Sequence, residues 1–343
     1  MTTAFLTHWN RELERLSPER SDIYFREEYH RLYATGGQEP LCICAQDERG
    51  TMLLPFLHRS FAFGGRTFQE LETAYGYGGP VSDTDDPAFL SDAARAIRDR
   101  LAAEGYLAGF VRLHPILDNW HGMEAIGRVI ACQHTVAIDM SGSEEDVWMN
   151  EIHRKIRNVI KRAERDGLRF EADYAFDGLE DFIRLYNATM DKLGAEDFYY
   201  FPPEYYHRLR DTLPGSFLGL IRAGDQVAAA AIFFRQGPYG HYHLAGSDPA
   251  WLAHSPNNLL LWKAALELKS QGVRLFHLGG GTTTDPEDPL FLFKHRFSQS
   301  VRTYRIGKFV FDPEAYEAVC ADWERNNPEK TEKYGNYLLK YKY

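Results

Sequence analysis

One order of elements occurs twice along this chain, and that repetition limits the fold more than any single motif does. In the first half, Leu41–Ala45 and Thr51–His58 flank Gln46-Asp-Glu-Arg-Gly50, a hairpin signature. An aromatic, glycine-rich segment follows at Tyr75-Gly-Tyr-Gly-Gly-Pro80. A helical stretch then runs from about Pro87 to Ala103, stops at Gly105 and leads into a strand over Tyr106–His114. In the second half, Phe217–Arg222 and Val227–Arg235 flank Ala223-Gly-Asp-Gln226, and Tyr242-His-Leu-Ala-Gly-Ser247 follows. A helix from about Asn257 to Ser270, a stop at Gly272 and a strand over Val273–Leu278 complete the second series. Two copies of one α/β unit is the simplest account, with chance likeness between two α/β halves as the alternative.

Length agrees with two units, since 343 residues exceed one ordinary core and suggest about two domains. A hydrophobic content of 44% with 14% aromatics is enough for a packed interior. The formal net charge of −10 argues against a broadly basic nucleic-acid surface but leaves a local patch open. No apolar run reaches the length of a membrane span. The start, Met1-Thr-Thr-Ala-Phe-Leu, lacks a basic segment before an apolar core, so no secretory signal is evident and a cytoplasmic location is expected. Cys42 and Cys44 alternate in an apolar run, as small core residues do, and with Cys132 and Cys320 they are expected to be reduced thiols.

Three stretches carry candidate chemistry. Phe276-His-Leu-Gly-Gly-Gly281 ends a short apolar run on bare backbone, where only glycine allows positive φ and close approach. Thr282–Pro289 then crosses the surface, and Leu290–Phe297 reads as a short helix bearing Lys294 and His295. Bare amides beside a fixed ammonium suit an anionic or carbonyl-bearing ligand, though a tight turn with a solvated lysine has the same pattern. Between the two copies, Glu144–Asp166 places Ile152, Ile156, Val159, Ile160 and Ala163 at helical spacing. Its other positions are basic: His153, Arg154, Lys155, Arg157, Lys161, Arg162 and Arg165. Such a stripe is either a solvated face or a local positive field for phosphate-bearing ligands. The third stretch is Tyr186–Gly194 with Lys192, followed by Asp197-Phe-Tyr-Tyr-Phe-Pro-Pro203, whose aromatics cap a core or line a channel for an extended ligand.

Familiar catalytic signatures are absent. No Gly-x-Ser-x-Gly elbow, His-Glu-x-x-His pair or phosphate loop occurs. His241 and His243 alternate on a strand without a third ligand in view, so no metal site and no cofactor are expected. What remains is acid–base and oxyanion chemistry by Asp, Tyr, Lys and backbone amides.

Four segments occur in an order that resembles the Fem-type peptidoglycan-bridge aminoacyltransferases of the GNAT-like acyltransferase superfamily. They are Gly79-Pro-Val-Ser-Asp83, the basic helix Lys155–Gly167, Tyr186–Gly194, and Phe276–Gly281 with Phe293-Lys294. Tyr242–Ser247 is a looser fifth. The resemblance implies an α/β (more fully α+β) fold of two tandem GNAT-like domains, mixed sheets flanked by helices. It implies a discontinuous first domain, 1–142 plus 316–343, and a second domain, 143–315, holding the donor and acceptor site.

The activity implied is transfer of an aminoacyl group from aminoacyl-tRNA to an amine of a cell-wall precursor, peptide or small metabolite. In that frame Lys294, Asp83 and Tyr242 are the catalytic candidates: Lys294 on donor phosphate or oxyanion, Asp83 as base for the acceptor amine, Tyr242 lining the channel. Gly279, Gly280, Gly281, Phe293, Arg157 and Lys161 are the donor-binding set, and Tyr77, Lys192, Tyr199 and Tyr200 the acceptor-binding set. Asp83 also fits a turn or helix cap. The chain departs from the family pattern at Gly78 and Leu244 and lacks the helical arm of some cell-wall members. Two alternatives share the fold. One is an acyl-CoA-dependent N-acyltransferase acting on a sugar or lipid-linked amine, whose usual pyrophosphate-binding turn is not found here. The other is a catalytically silent binding protein.

Overall fold

A computed structural model describes residues 1–343 of the chain. Its elements begin with β1 (Thr2–Leu6), α1 (Asn10–Leu13), α2 (Glu27–Tyr33), β2 (Glu39–Asp47), β3 (Gly50–Phe63) and β4 (Arg66–Glu72). β5 (Val81–Ser82), α3 (Pro87–Ala103), β6 (Tyr106–Arg112), β7 (Arg128–Asp139), α4 (Glu144–Asp146) and α5 (Arg154–Arg165) follow. Next are β8 (Arg169–Asp173), α6 (Leu179–Leu193), α7 (Pro203–Thr212), β9 (Phe217–Ala223), β10 (Gln226–Gln236) and β11 (Tyr239–Ser247). α8 (Pro256–Ser270), β12 (Leu275–Gly280), α9 (Pro289–His295), β13 (Val301–Val310), α10 (Pro313–Asn326) and α11 (Pro328–Tyr334) come last.

Two compact units result: Met1–Cys132 with Thr303–Tyr343, and Gln133–Arg302. In the first unit β1, β2, β3 and β4 pair antiparallel in succession, β4 pairs parallel with β6, and β6 pairs antiparallel with β13. In the second, β8, β9, β10 and β11 pair antiparallel, β11 pairs parallel with β12, and β12 pairs antiparallel with β7. Each unit is thus a mixed sheet with the same order of hairpin, third strand, crossover helix and parallel strand. The antiparallel neighbour of β6 is β13 rather than β7, which follows it in sequence; the neighbour of β12 is β7 rather than β13. That pairing sets the divisions at 132/133 and 302/303, upstream of the expected 142/143 and 315/316.

The crossover helices form where the sequence places them. α3 starts on Asp86, whose carboxylate accepts the Ala88 N–H, with Pro87 in the first turn. Phe89, Ala93, Ala94, Ile97 and Leu101 line one side and pack on Ile43, Leu54, Phe56, Tyr106 and Val111. α8 presents Leu260, Leu261, Ala264, Ala265 and Leu268 to the second sheet. There β10 is buried continuously from Val227 to Phe234, as a strand covered on both faces is. Its Ala229, Ala231 and Phe233 lie in the core shared with α5 and α8, and Ala230, Ile232 and Phe234 face the other way.

Glu144–Asp166 is not one helix. α4 ends after one turn, a single π-type turn covers Val147–Glu151, and Ile152 turns extended at φ −79°, ψ 118°. The reason is local. Ile152 is buried, and one guanidinium nitrogen of Arg157 donates to the carbonyls of Trp148, Met149 and Ile152 at 2.8–3.0 Å, satisfying groups a continuous helix would have paired itself.

Candidate active site

β11 and β12 pair only from Tyr239/Leu275 to His241/His277. Beyond that point β11 stays with β10 as far as Ser247 and β12 stays with β7 as far as Gly280. Two parallel neighbours therefore part, and a wedge of bare backbone edges opens between them.

Lys294 occupies the β12 side of this parting. It is 7% exposed, its Nζ donates to the Gly280 carbonyl at 2.7 Å, and it lies 5.8 Å from the Tyr242 ring centroid. Lys294, Gly280 and Tyr242, expected together from the sequence, are brought together. Burial pulls the Lys294 ammonium down from the ordinary lysine value to about 7, against the opposing pull of the Asp288 carboxylate. Burial pushes the Tyr242 phenol well above its usual range, so it remains a neutral donor.

The three glycines serve three different ends. Gly279, at φ 77°, follows a register shift between β12 and β7, a bulge that L side chains resist. A Cβ on Gly280 would meet the His134 carbonyl at 2.8 Å, and one on Gly281 would meet the Asp288 carboxylate at 2.5 Å. Phe293 packs on the second unit's core and meets Phe297 edge-on at 5.5 Å.

Asp288 organises the loop behind Lys294. It is 3% exposed, and it accepts the N–H and hydroxyl of Thr282 and of Thr283 at 2.7–3.1 Å. It also accepts the Leu290 and Phe291 N–H groups at 2.9 and 3.0 Å, which makes it the N-cap of α9. Burial alone would raise its carboxyl; the hydrogen bonds from Thr282, Phe291 and Thr283 outweigh that and hold it far below the usual carboxylate range.

The remaining expected residues lie elsewhere. Arg157 gives one guanidinium nitrogen to the π-turn carbonyls and so braces that turn. Lys161 is solvent-facing, 5.9 Å from the Trp148 ring. Lys192 is exposed in the last turn of α6. Tyr199 and Tyr200 are 37% and 36% exposed; the Tyr200 hydroxyl donates to Asp191 at 2.9 Å, and the Tyr199 carbonyl accepts the buried Tyr186 hydroxyl at 2.8 Å. In the first unit, Asp83 is exposed and its carboxylate accepts the Thr51 N–H at 2.8 Å, clamping the β2–β3 turn. That bond gives Asp83 a turn role. Tyr77 sits in a nest with Tyr24, His114 and Tyr304, at centroid distances of 5.4, 5.8 and 5.5 Å. Burial raises its phenol above the usual range.

A family model described as an acetyltransferase (GNAT) domain matches residues 150–289. The UDP-N-acetylmuramoylpentapeptide-lysine N(6)-alanyltransferase of Weissella viridescens is 22% identical over 308 residues, covering 83% of this chain and 88% of the relative. The crystal structure of FemX superposes with a TM-score of 0.71 at 11% identity, over 93% of this chain and 99% of that one. The C-terminal DUF2156 domain of a protein named as a lysylphosphatidylglycerol synthetase, from Agrobacterium fabrum, gives 0.56 at 16% identity over 91% and 93%. Residues 150–289 thus match a GNAT domain, and the chain as a whole has the fold of FemX.

The sequence left two polar devices unread. Asp288 was legible only as part of an acidic surface turn, although Asp before Pro at a helix start is a cap signature. The other is a buried pair in the first unit. Asp22 accepts from His114 Nε2 at 3.0 Å with both side chains fully buried, and His114 Nδ1 accepts the Leu117 N–H at 3.3 Å, which fixes the tautomer. Residues 92 apart in sequence leave no local signal of such a pair. No helix is long and apolar enough to cross a membrane.

Proposed function

We propose that this protein transfers an aminoacyl group from aminoacyl-tRNA to an amine of a cell-wall precursor, with a lysine-bearing UDP-linked muramoyl peptide as the first acceptor to try. The observation that carries this reading is the buried Lys294 at the parting of β11 and β12, aimed at the Gly280 carbonyl. The activity of the Weissella relative supports the choice of donor and acceptor.

The chemistry follows from the geometry. The neutral acceptor amine attacks the ester carbonyl of the aminoacyl group; a C–N bond forms and the C–O bond to the terminal ribose breaks. The amine proton goes to the departing ribose oxygen, so the step balances without a separate base. Charge builds on the carbonyl oxygen, and the Lys294 ammonium, which uses one donor on Gly280, has two more to offer it. Tyr242 walls the wedge and supplies an apolar face for the acyl group.

The test is donor competition. Charged tRNA should bind better than uncharged tRNA and resist acetyl-CoA. Saturable acetyl-CoA binding with indifference to the aminoacyl group would move the protein to the acyl-CoA branch.

A further inference from the structure

The outward face of α5 is the largest concentration of positive charge that the proposed reaction leaves unused. At 100° per residue, Arg154, Asn158, Lys161 and Arg165 fall within about 60° of one another, diametrically opposite Ile156, Ile160 and Ala163. The latter three are buried in the second unit's core, and the former four are exposed. Lys155 and Arg162 flank the row and are exposed too.

Many surface arginines elsewhere in this chain lie against carboxylates, among them Arg49, Arg95, Arg100 and Arg184. On α5 the nearby carboxylates are already taken. Glu164 pairs with Lys263 at 2.8 Å and Asp166 with His254 at 2.8 Å. Arg162 reaches only the Ala253 carbonyl at 3.4 Å, and Arg165 only the Lys161 carbonyl at 3.3 Å. Asn158, Lys161, Glu164 and Arg165 also line a shallow depression on the helix. In a chain of formal net charge −10, an unneutralised row of this kind is a local field of opposite sign.

We infer that this row is a docking surface for the phosphate backbone of an RNA stem. A rise of about 1.5 Å per residue makes the row roughly 16 Å long, enough to span several phosphates of one strand. The fit is to a polyanion rather than to bases, since no exposed aromatic lies in the row. An inserting membrane helix is a poorer match, because the apolar face that would enter lipid is already packed in the core. The choice of RNA rests on the aminoacyl-tRNA reading above, and the surface would hold the stem of the donor while its charged end reaches the wedge.

The experiment uses the full chain and an uncharged RNA minihelix, read by fluorescence anisotropy across a salt series, so that it does not depend on catalysis. The variants are Arg154→Glu/Lys161→Glu/Arg165→Glu and the gentler Lys161→Gln/Arg165→Gln, with Arg11→Glu/Arg128→Glu as an exposed-charge control. Each duplex phosphate contact adds about 0.9 to the log–log salt slope, so the triple variant should flatten it by about 2 to 3 and the control should leave it unchanged. Equal loss in the control and the α5 variants, no loss in the α5 variants, or no binding by the wild type would overturn the assignment. So would α5-dependent binding to phosphatidylglycerol vesicles tighter than to RNA at equal phosphate concentration. Failure of the transfer reaction with α5-dependent minihelix binding intact would count against the proposed function and not against this surface.

Discussion

Lys294 is where physical chemistry and function meet at the scale of one residue. A buried lysine near neutrality is charged below about pH 7 and neutral above it. If the ammonium stabilises the oxyanion, kcat falls as pH rises through about 7, and Lys294→Arg shifts that limb upward because guanidinium stays charged. Lys294→Ala should retain the fold and lose on the order of 10²–10³ in kcat, the usual loss for one oxyanion donor. The same group has a stability signature. Between about 7 and 10.5 the folded chain has released the proton that the unfolded chain keeps, so the unfolded state binds more protons and stability rises with pH across that window. Urea midpoints measured from pH 7 to 10 should show this slope in the wild type and lose its Lys294 share in Lys294→Met. The lysine was legible in sequence because it follows Phe293 shortly after a glycine run. Its carbonyl partner was not, because the approach of Gly280 to α9 is set by tertiary packing.

At the scale of elements, the repeated order of hairpin, strand, helix and strand was legible because glycine stops and hydrophobic periods are local. The break at Ile152 was hidden because it depends on a guanidinium reaching back to the carbonyls of Trp148, Met149 and Ile152. The loop before α9 hangs on Asp288. Asp288→Ala removes a helix cap and the acceptor that ties down Thr282 and Thr283, at a cost of about 0.5–2 kcal/mol in chemical denaturation. It should lower turnover as well, since α9 carries Lys294. β11 and α6 constrain each other equally closely: a Cβ on Gly246 would lie 2.3 Å from the Leu185 carbonyl carbon. Gly246→Ala must therefore push α6 outward, and a loss of about 1–3 kcal/mol is expected from the overpacking. An unchanged midpoint in that variant would mean that α6 is not held against β11.

For the whole molecule, length and the repeat indicated two α/β units and composition argued against a broadly basic surface; both units have the order of strands that the repeat implies. Which strand completes each sheet was out of reach, since β7 and β13 have pairing partners far away in sequence. The acceptor-side residues were the least legible. Asp83 carried the pattern of a base and also that of a turn, and only the Thr51 N–H bond separates them. Asp83→Asn keeps that acceptor oxygen, so its turnover should match the wild type; a large loss would restore the base role.

The central claim is aminoacyl transfer at the β11–β12 wedge. The most direct measurement follows radiolabelled amino acid from aminoacyl-tRNA onto a lysine-bearing UDP-linked muramoyl peptide, with wild-type and Lys294→Ala protein in parallel and labelled acetyl-CoA as the rival donor. The account predicts label on the peptide amine from aminoacyl-tRNA with the wild type, and little with Lys294→Ala. Label from acetyl-CoA alone, or equal transfer by the two proteins, would contradict it.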